Sequence, residues 1–316
     1  MTEPEAKPQR LVFGETLVEL GAADERIVVL DADVSSSTQT EHFAAAFPER
    51  FFNCGVAEAN MISIAAGLAT CGYIPFASTF ALFISMRAGD PVRALIAQPK
   101  LNVKLIGGYA GLSDFADGAS HQSVEDLAVM RAVPNMTVVC PSDIITTKKA
   151  VRAIAEMDGP VFLRIAREAV TSDYAAEQPF EIGKGIVVRD GADVTLIGCG
   201  MTVKMCRAAA EALAAEGVWA RVIDLHTLKP IDADLLEQSA RQTGAMVTAE
   251  EHNVYGGLGG AVCEAICARF PVPVLRCGIP DRFCESGAYA EILERAGITA
   301  GNIAGLARKA VAMKNP

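Results

Sequence analysis

The chain has 316 residues, half of them apolar and about a fifth charged, with a formal net charge of -10 and a pI near 5.0. That length suggests two domains with ample material for buried cores. The acidic balance excludes a nucleic-acid binder, which needs a basic face for phosphates.

In chain order, short apolar runs alternate with helical patterns. Strands are predicted at 27–30, 74–76, 103–107, 137–140 and 161–164, with helices at 13–22, 57–70, 83–98, 124–132 and 144–155 between them. Such alternation means a mostly parallel, doubly wound sheet. Residues 171–185 (TSDYAAEQPFEIGKG) are polar and aperiodic and read as a seam. A second alternation follows, with strands at 194–198, 220–224, 245–249 and 274–277 and helices at 202–216, 233–243 and 260–269, then two terminal helices. The expectation is α/β throughout, in two doubly wound domains covering 1–175 and 176–316.

Residues 59–86 carry no charge, as a membrane span would. Gly72 and Pro75 break the stretch into two short pieces, so a buried helix and strand explain it better. The opening MTEPEAKPQR lacks the apolar core of a secretory leader, and the nine cysteines are odd in number without a CxxC pair. Reduced, packed thiols and a cytoplasmic location are expected, with no metal ligands.

Several motifs carry chemistry. Glu58 opens a helix that is almost wholly apolar, where a carboxylate must find a partner or shift its pKa. Phe80 and Phe83 flank a short loop and are either core or the wall of a flat heterocycle. Asp117 and His121 share a polar loop before a helix, a better functional prospect than a lone core histidine. His42, His226 and His252 have no metal-ligand spacing, although His252 lies in Glu250-Glu-His-Asn253 at a strand end. Gly198-x-Gly200 with Asp224 resembles a dinucleotide fingerprint, but Val203 occupies the third glycine position and a tight turn is the simpler account. Tyr255-Gly-Gly-Leu-Gly-Gly260 lacks a following Lys-Ser/Thr and is not a P-loop. It reads as a turn or helix start closely approached by another backbone.

Taken together, FFNCGVAEANMISIAAGLA, PFASTFALF, DGASHQSVEDLAVMRAVPNM, GPVFLRIAR, VIDLHTLKPID, EEHNVYGGLGGAV and GIPDRFCESG resemble the C-terminal half of transketolases, from about Arg10 to Lys309. The likeness is greatest to split transketolases, in which two genes encode what is elsewhere one chain. The resemblance implies a pyrimidine-binding domain followed by a C-terminal domain, and thiamine diphosphate as cofactor. This chain has no Gly-Asp-Gly motif in the context that holds the diphosphate and Mg²⁺. The diphosphate site and the Mg²⁺ ligands are therefore expected on an N-terminal partner subunit, in an α2β2 assembly with homodimeric contacts of this chain.

Residue by residue, the resemblance makes Glu58 the acid that holds the pyrimidine nitrogen's proton, and places Phe80, Phe83, Met86 and Asp33 beside the cofactor. Met86 replaces a third aromatic. His121 would contact the donor carbonyl and hydroxyls, with Asp117 reading the hydroxyl next to the bond to be cleaved. Arg10, Ser37 and Arg167 would clasp the substrate phosphate. Tyr109 stands where many members have a histidine that touches this phosphate, and Asp114-Phe-Ala-Asp117 replaces the usual Val-Gly-Glu-Asp. The implied reaction moves a two-carbon ketol unit from a ketose phosphate to an aldose. The alternatives are a 2-oxoacid dehydrogenase beta subunit or deoxyxylulose-phosphate synthase-like enzyme, a non-catalytic assembly subunit, and a nicotinamide binder resting on Gly198-x-Gly200.

Overall fold

The computed structural model describes residues 6–314, so part of the opening segment read above as lacking a leader lies outside the described residues. Fourteen strands form three sheets among the described residues. The first half supplies β1 (Ala6–Pro8), β2 (Ile27–Asp31), β3 (Phe51–Asn53), β4 (Ile74–Phe80), β5 (Lys104–Gly108), β6 (Thr137–Val139), β7 (Val161–Arg164) and β8 (Ala169–Thr171). The second half supplies β9 (Ile186–Arg189), β10 (Val194–Gly198), β11 (Ala220–Asp224), β12 (Thr227–Lys229), β13 (Met246–Asn253) and β14 (Val274–Ile279).

The larger sheet has the order β12-β6-β7-β5-β4-β2-β3 and is parallel except at β12. Every residue of β2, β4, β5, β6 and β7 is buried, as expected of a parallel sheet with both faces covered. The second sheet, β14-β13-β10-β11-β9, is parallel except at β9. A two-stranded clip pairs β1 with β8, tying the start of the first half to its end.

The helices of the first half are α1 (Gln9–Ala23), α2 (Ser35–Thr38), α3 (Glu41–Ala46), α4 (Glu58–Thr70), α5 (Gly89–Pro91), α6 (Asp126–Ala132) and α7 (Ile144–Glu156). Those of the second half are α8 (Thr202–Ala215), α9 (Ala233–Thr243), α10 (Leu258–Cys267), α11 (Tyr289–Ala296) and α12 (Ala300–Ala312). α7 starts where its sequence dictates: Asp143 caps the Thr146 amide at 2.6 Å, and the Thr146 hydroxyl returns to the Asp143 amide at 3.0 Å. Aliphatic and aromatic side chains such as Phe13, Leu17, Phe43, Phe76 and Val161 fill one face of the larger sheet. Each large side chain so buried contributes about 1.5–3 kcal/mol.

Two expectations needed revision. Residues 83–98 do not make one regular α-helix: Phe83–Arg87 and Val92–Ala97 wind as wide π-helical turns around α5. Such turns concentrate at functional sites, and Pro91 denies the segment one backbone donor. The second half also does not keep to its own sheet. β12 pairs antiparallel with β6 on the edge of the larger sheet, and Lys229 Nζ donates to the carbonyls of Arg131 and Val133 at the end of α6. The uncharged stretch 59–86 resolves into α4 and β4, and no helix among the described residues is long and apolar enough to cross a membrane.

Candidate functional site

The carboxyl ends of parallel strands are where open α/β sheets place ligands. Asp33 follows β2, Phe80 ends β4, Tyr109 follows β5 and Arg167 follows β7, so four of the expected residues meet at one end of the sheet. The loop after β2 is pinned by a fully buried acid, Asp31. It accepts from the Val34 amide (2.6 Å) and from the hydroxyls of Thr38 and Thr40 (2.8 Å each). Burial pushes the Asp31 carboxyl up, and those three donors pull it back down. The pinned loop holds Asp33 with a left-handed backbone (φ 65°) and an Asn53 amide at 2.8 Å from its carboxylate.

Phe80 and Phe83, expected as either core or a ring-binding wall, stack at 5.8 Å between centroids and 23° between planes. The stack does not stop there. Tyr109 stacks on Phe80 at 4.5 Å, and His121 sets its ring edge against Phe83 at 5.2 Å and Phe80 at 6.1 Å. Ser120 Oγ lies 2.9 Å from His121 Nδ1 and orients the imidazole. The Arg87 guanidinium covers Phe83 at 4.5 Å, a partner that sequence reasoning missed. Met86 is 55 % exposed.

Beyond Tyr109 the stack becomes cationic. The guanidiniums of Arg10 and Arg167 lie 5.4 and 5.2 Å from the Tyr109 centroid. Arg10 Nη1 donates to the Tyr109 hydroxyl (2.9 Å) and to the Ser37 carbonyl (3.0 Å). The structure thus brings Arg10, Ser37, Tyr109 and Arg167 together, although Ser37 serves Arg10 through its backbone. Arg167 also sits over Phe115 at 4.8 Å and within 3.9 Å of Asp114. Asp114 is fully buried, and neither of its oxygens accepts from an N–H or hydroxyl donor among the described residues. Desolvation, then the neighbouring Asp117 carboxyl, push its carboxyl up to about 7.

Glu58 lies at the first position of α4 and is 5 % exposed. A carboxylate suits the positive end of a helix. Among the described residues no side-chain hydrogen bond or ion pair ties its carboxylate to the aromatic stack. A buried carboxylate and an aromatic stack are groups that suit a heterocycle with a protonatable nitrogen. Among the described residues no three His, Cys, Asp or Glu side chains gather in metal-holding geometry.

The second half of the chain holds the Tyr109–His121 loop from behind. Gly111 has φ 62°, and a Cβ there would come within 2.8 Å of the Glu251 side chain and carbonyl, so only glycine admits this approach. Tyr289 donates its hydroxyl to the buried Glu251, whose carboxyl burial pushes up to about 7. Gln122 donates to the Glu285 carbonyl (3.1 Å) and Gly287 to the Phe115 carbonyl (3.1 Å). Arg164 completes the joint: it grips Asp126 with two nitrogens (2.7 and 3.2 Å) and donates to the carbonyls of Ser123 and Glu251.

The remaining motifs are structural. His252 Nε2 accepts from the Ala128 amide (3.2 Å) and its Nδ1 meets the Asn253 carbonyl (2.7 Å), leaving a neutral imidazole bridging β13 to α6. The glycine-rich turn at 255–260 is crowded by side chains of this chain. A Cβ at Gly256 (φ 79°) would meet Ala128 at 2.6 Å, and Glu250 accepts from the Leu258 and Gly259 amides at the head of α10. The Gly198-x-Gly200 turn faces inward, with the Gly200 amide on the Cys140 carbonyl at 3.2 Å. All nine cysteines are free thiols.

The family model described as transketolase, pyrimidine binding domain, matches residues 6–172, and that described as transketolase, C-terminal domain, matches residues 183–303. The chain is 48% identical over 301 residues to the "Putative transketolase C-terminal section" of Methanocaldococcus jannaschii, covering 94% of each. It is 40% identical over 306 residues to "6-deoxy-6-sulfo-D-fructose transketolase subunit SqwH" of Clostridium sp., covering 97% of this chain and 95% of the relative. The solved "Split gene transketolase, inactive beta4 tetramer" superposes with a TM-score of 0.92 at 48% identity, covering 98% of this chain and 99% of the other. Against human transketolase, 40% identical, the chain spans about half the relative's length, 48%. The chain belongs to the transketolase family and is built as that family's pyrimidine-binding and C-terminal domains.

Proposed function

We propose that this chain, joined to a partner polypeptide carrying the diphosphate and Mg²⁺ site, transfers a two-carbon ketol unit from a ketose phosphate to an aldose. The single observation that carries the reading is the continuous stack from Phe83 through Phe80 to Tyr109, which ends between two guanidiniums. It joins a ring-binding wall to an anion clamp along one face. The chain's likeness to relatives described as a transketolase C-terminal section and a split gene transketolase supports dependence on a partner. We place the assembly in the cytoplasm as α2β2, with this chain also touching its own copy, and the boundary between its two domains at 175/176.

Thiamine diphosphate, when bound, supplies the carbanion chemistry that a protein lacks. Phe80, Phe83, Met86 and Asp33 would bind its pyrimidine end. In the proposed mechanism the Glu58 carboxyl holds the proton at the pyrimidine ring nitrogen, from a position where water is scarce. His121, oriented by Ser120, moves a proton at the donor's carbonyl or hydroxyl oxygen. Asp117 accepts from the hydroxyl beside the bond to be cleaved. Arg10, Tyr109 and Arg167, with Ser37, orient the donor through its anionic tail, since guanidinium forks match phosphate oxygens. The sulfonated-sugar transketolase subunit among the relatives supports a tail that need not be phosphate.

The test is co-purification with a Gly-Asp-Gly partner, followed by assay with thiamine diphosphate and Mg²⁺ on xylulose phosphate and on pyruvate. Ketol transfer by the pair and none by the chain alone is expected. Decarboxylation of pyruvate without ketol transfer, or robust activity of the isolated chain, overturns the reading.

A further inference from the structure

One group in the clamp is out of keeping with an anion site. Asp114 lies 3.9 Å from Arg167 Nη1, is fully buried, and among the described residues has no N–H or hydroxyl donor on either oxygen. A buried carboxyl without a donor is favoured in its protonated form, and Arg167 lies within ion-pair reach of it once it ionises. The clamp therefore contains a countercharge that is present or absent according to that one proton.

We propose that Asp114 is a positioning and specificity residue that sets the charge of the anion clamp: with the Asp114 carboxyl protonated Arg167 is free for the substrate's anionic tail, and with it ionised Arg167 is held by Asp114. This deepens the ketol-transfer reading and rests on it. Arg167 has little choice of position, lying against Tyr109 and Phe115. Its charge can be spent on Asp114 or on the tail, but not fully on both. Arg10 has its own fixed acceptors, Tyr109 and Ser37, and does not compete for Asp114.

Other ionisable groups face this corner: Asp117 and His121 from the same loop, Arg10 from α1, Glu168 beside Arg167, and Glu251 with Tyr289 beneath Gly111. Removing Asp114 leaves all of them in place, so a difference between wild type and variant isolates its contribution. Because the Asp114 carboxyl is pushed up to about 7, its charge appears as pH rises through neutrality. The clamp should then weaken with rising pH.

The experiment uses the assembled two-subunit holoenzyme and inorganic sulfate, whose charge is constant over this range. Sulfate affinity is measured by calorimetry between pH 6 and 8, and in parallel as the inhibition constant against the phosphorylated donor. The wild type should lose roughly fivefold in sulfate affinity across the interval, the worth of one partly exposed ion pair. Asp114→Asn and Asp114→Leu should bind sulfate at pH 8 as tightly as the wild type does at pH 6, with that pH-dependent component removed. Two variants guard against a folding defect in either. The same slope in wild type and both variants overturns the proposal, as does weaker sulfate binding by both at pH 8. Absence of ketol transfer would count against the reading of the reaction, whereas calorimetry reads the clamp whether or not the complex turns over.

Discussion

The Tyr109 ring lies 4.5 Å from the Phe80 ring while its hydroxyl accepts a hydrogen bond from Arg10 at 2.9 Å. One side chain thus touches both the ring-binding wall and the anion clamp. Tyr109→Phe keeps the stack and removes the acceptor. We expect KM for a phosphorylated ketose to rise roughly 10-fold or more with kcat little changed, since a hydrogen bond to a charged group contributes about 1.5–3 kcal/mol. Steady-state kinetics on phosphorylated and unphosphorylated donors would check this, the latter being unaffected.

Glu58 is asked for a proton-holding role that no amide can take. Glu58→Gln should lower kcat of the assembled enzyme by at least about 10²-fold, the lower end of what a positioned acid or base contributes. Thermal unfolding should stay within a few degrees of wild type, because the glutamine keeps the size of the side chain at the head of α4. A full rate in the variant would remove Glu58 from the chemistry.

Gly111→Ala tests whether the second domain shapes the substrate loop. The added methyl would strike Glu251 at 2.8 Å and oppose a φ of 62°. The expected cost is about 1–3 kcal/mol in stability, with a raised KM because the displaced loop carries Tyr109, Asp117 and His121. Chemical denaturation and kinetics on the same variant separate the two effects.

Asp224 gives a stability prediction with a definite sign. Burial pushes its carboxyl up to about 7, against the downward pull of the Ser142 and Tyr174 hydroxyls at 2.5 and 2.9 Å. Between about pH 4 and 7 the folded chain therefore holds a proton that the unfolded chain has released. Stability should fall as pH rises through this interval, by up to roughly 1.4 kcal/mol per unit from this group. Asp224→Asn should flatten the slope relative to wild type in urea titrations at pH 5, 6 and 7. An unchanged slope would mean that Asp224 is ionised throughout.

Local patterns in the sequence were enough to read most of the fold. α9 runs over the expected 233–243, where an Asp232 cap and a left-handed Gly244 punctuate an amphipathic run. Residues 83–98 looked helical for the same reason, but periodicity cannot distinguish α from π winding when tertiary packing widens the turn. β12 was missed because three residues carry no periodic signal and their partner strand is 88 residues earlier, from Thr227 to Val139. In the site, the Phe80–Phe83 wall and the two arginines were legible through family resemblance. The Tyr109 stack was not, since ring-on-ring contact between β4 and β5 depends on register. Asp114 had one local signal: a lone acid between Ser113 and Phe115 in an otherwise uncharged run from Gly107 to Ala116.

The edge strand Thr227–Lys229 means that the larger sheet is completed at one edge by the second half of this polypeptide. Expressed alone, the N-terminal portion would present the unpaired backbone of Thr137–Val139 to solvent, an invitation to stick edge-to-edge with another molecule. A gene divided between the two portions should therefore yield aggregates rather than two exchangeable modules. Recombination that shuffles this family's pieces would have to carry both together, or supply a substitute strand.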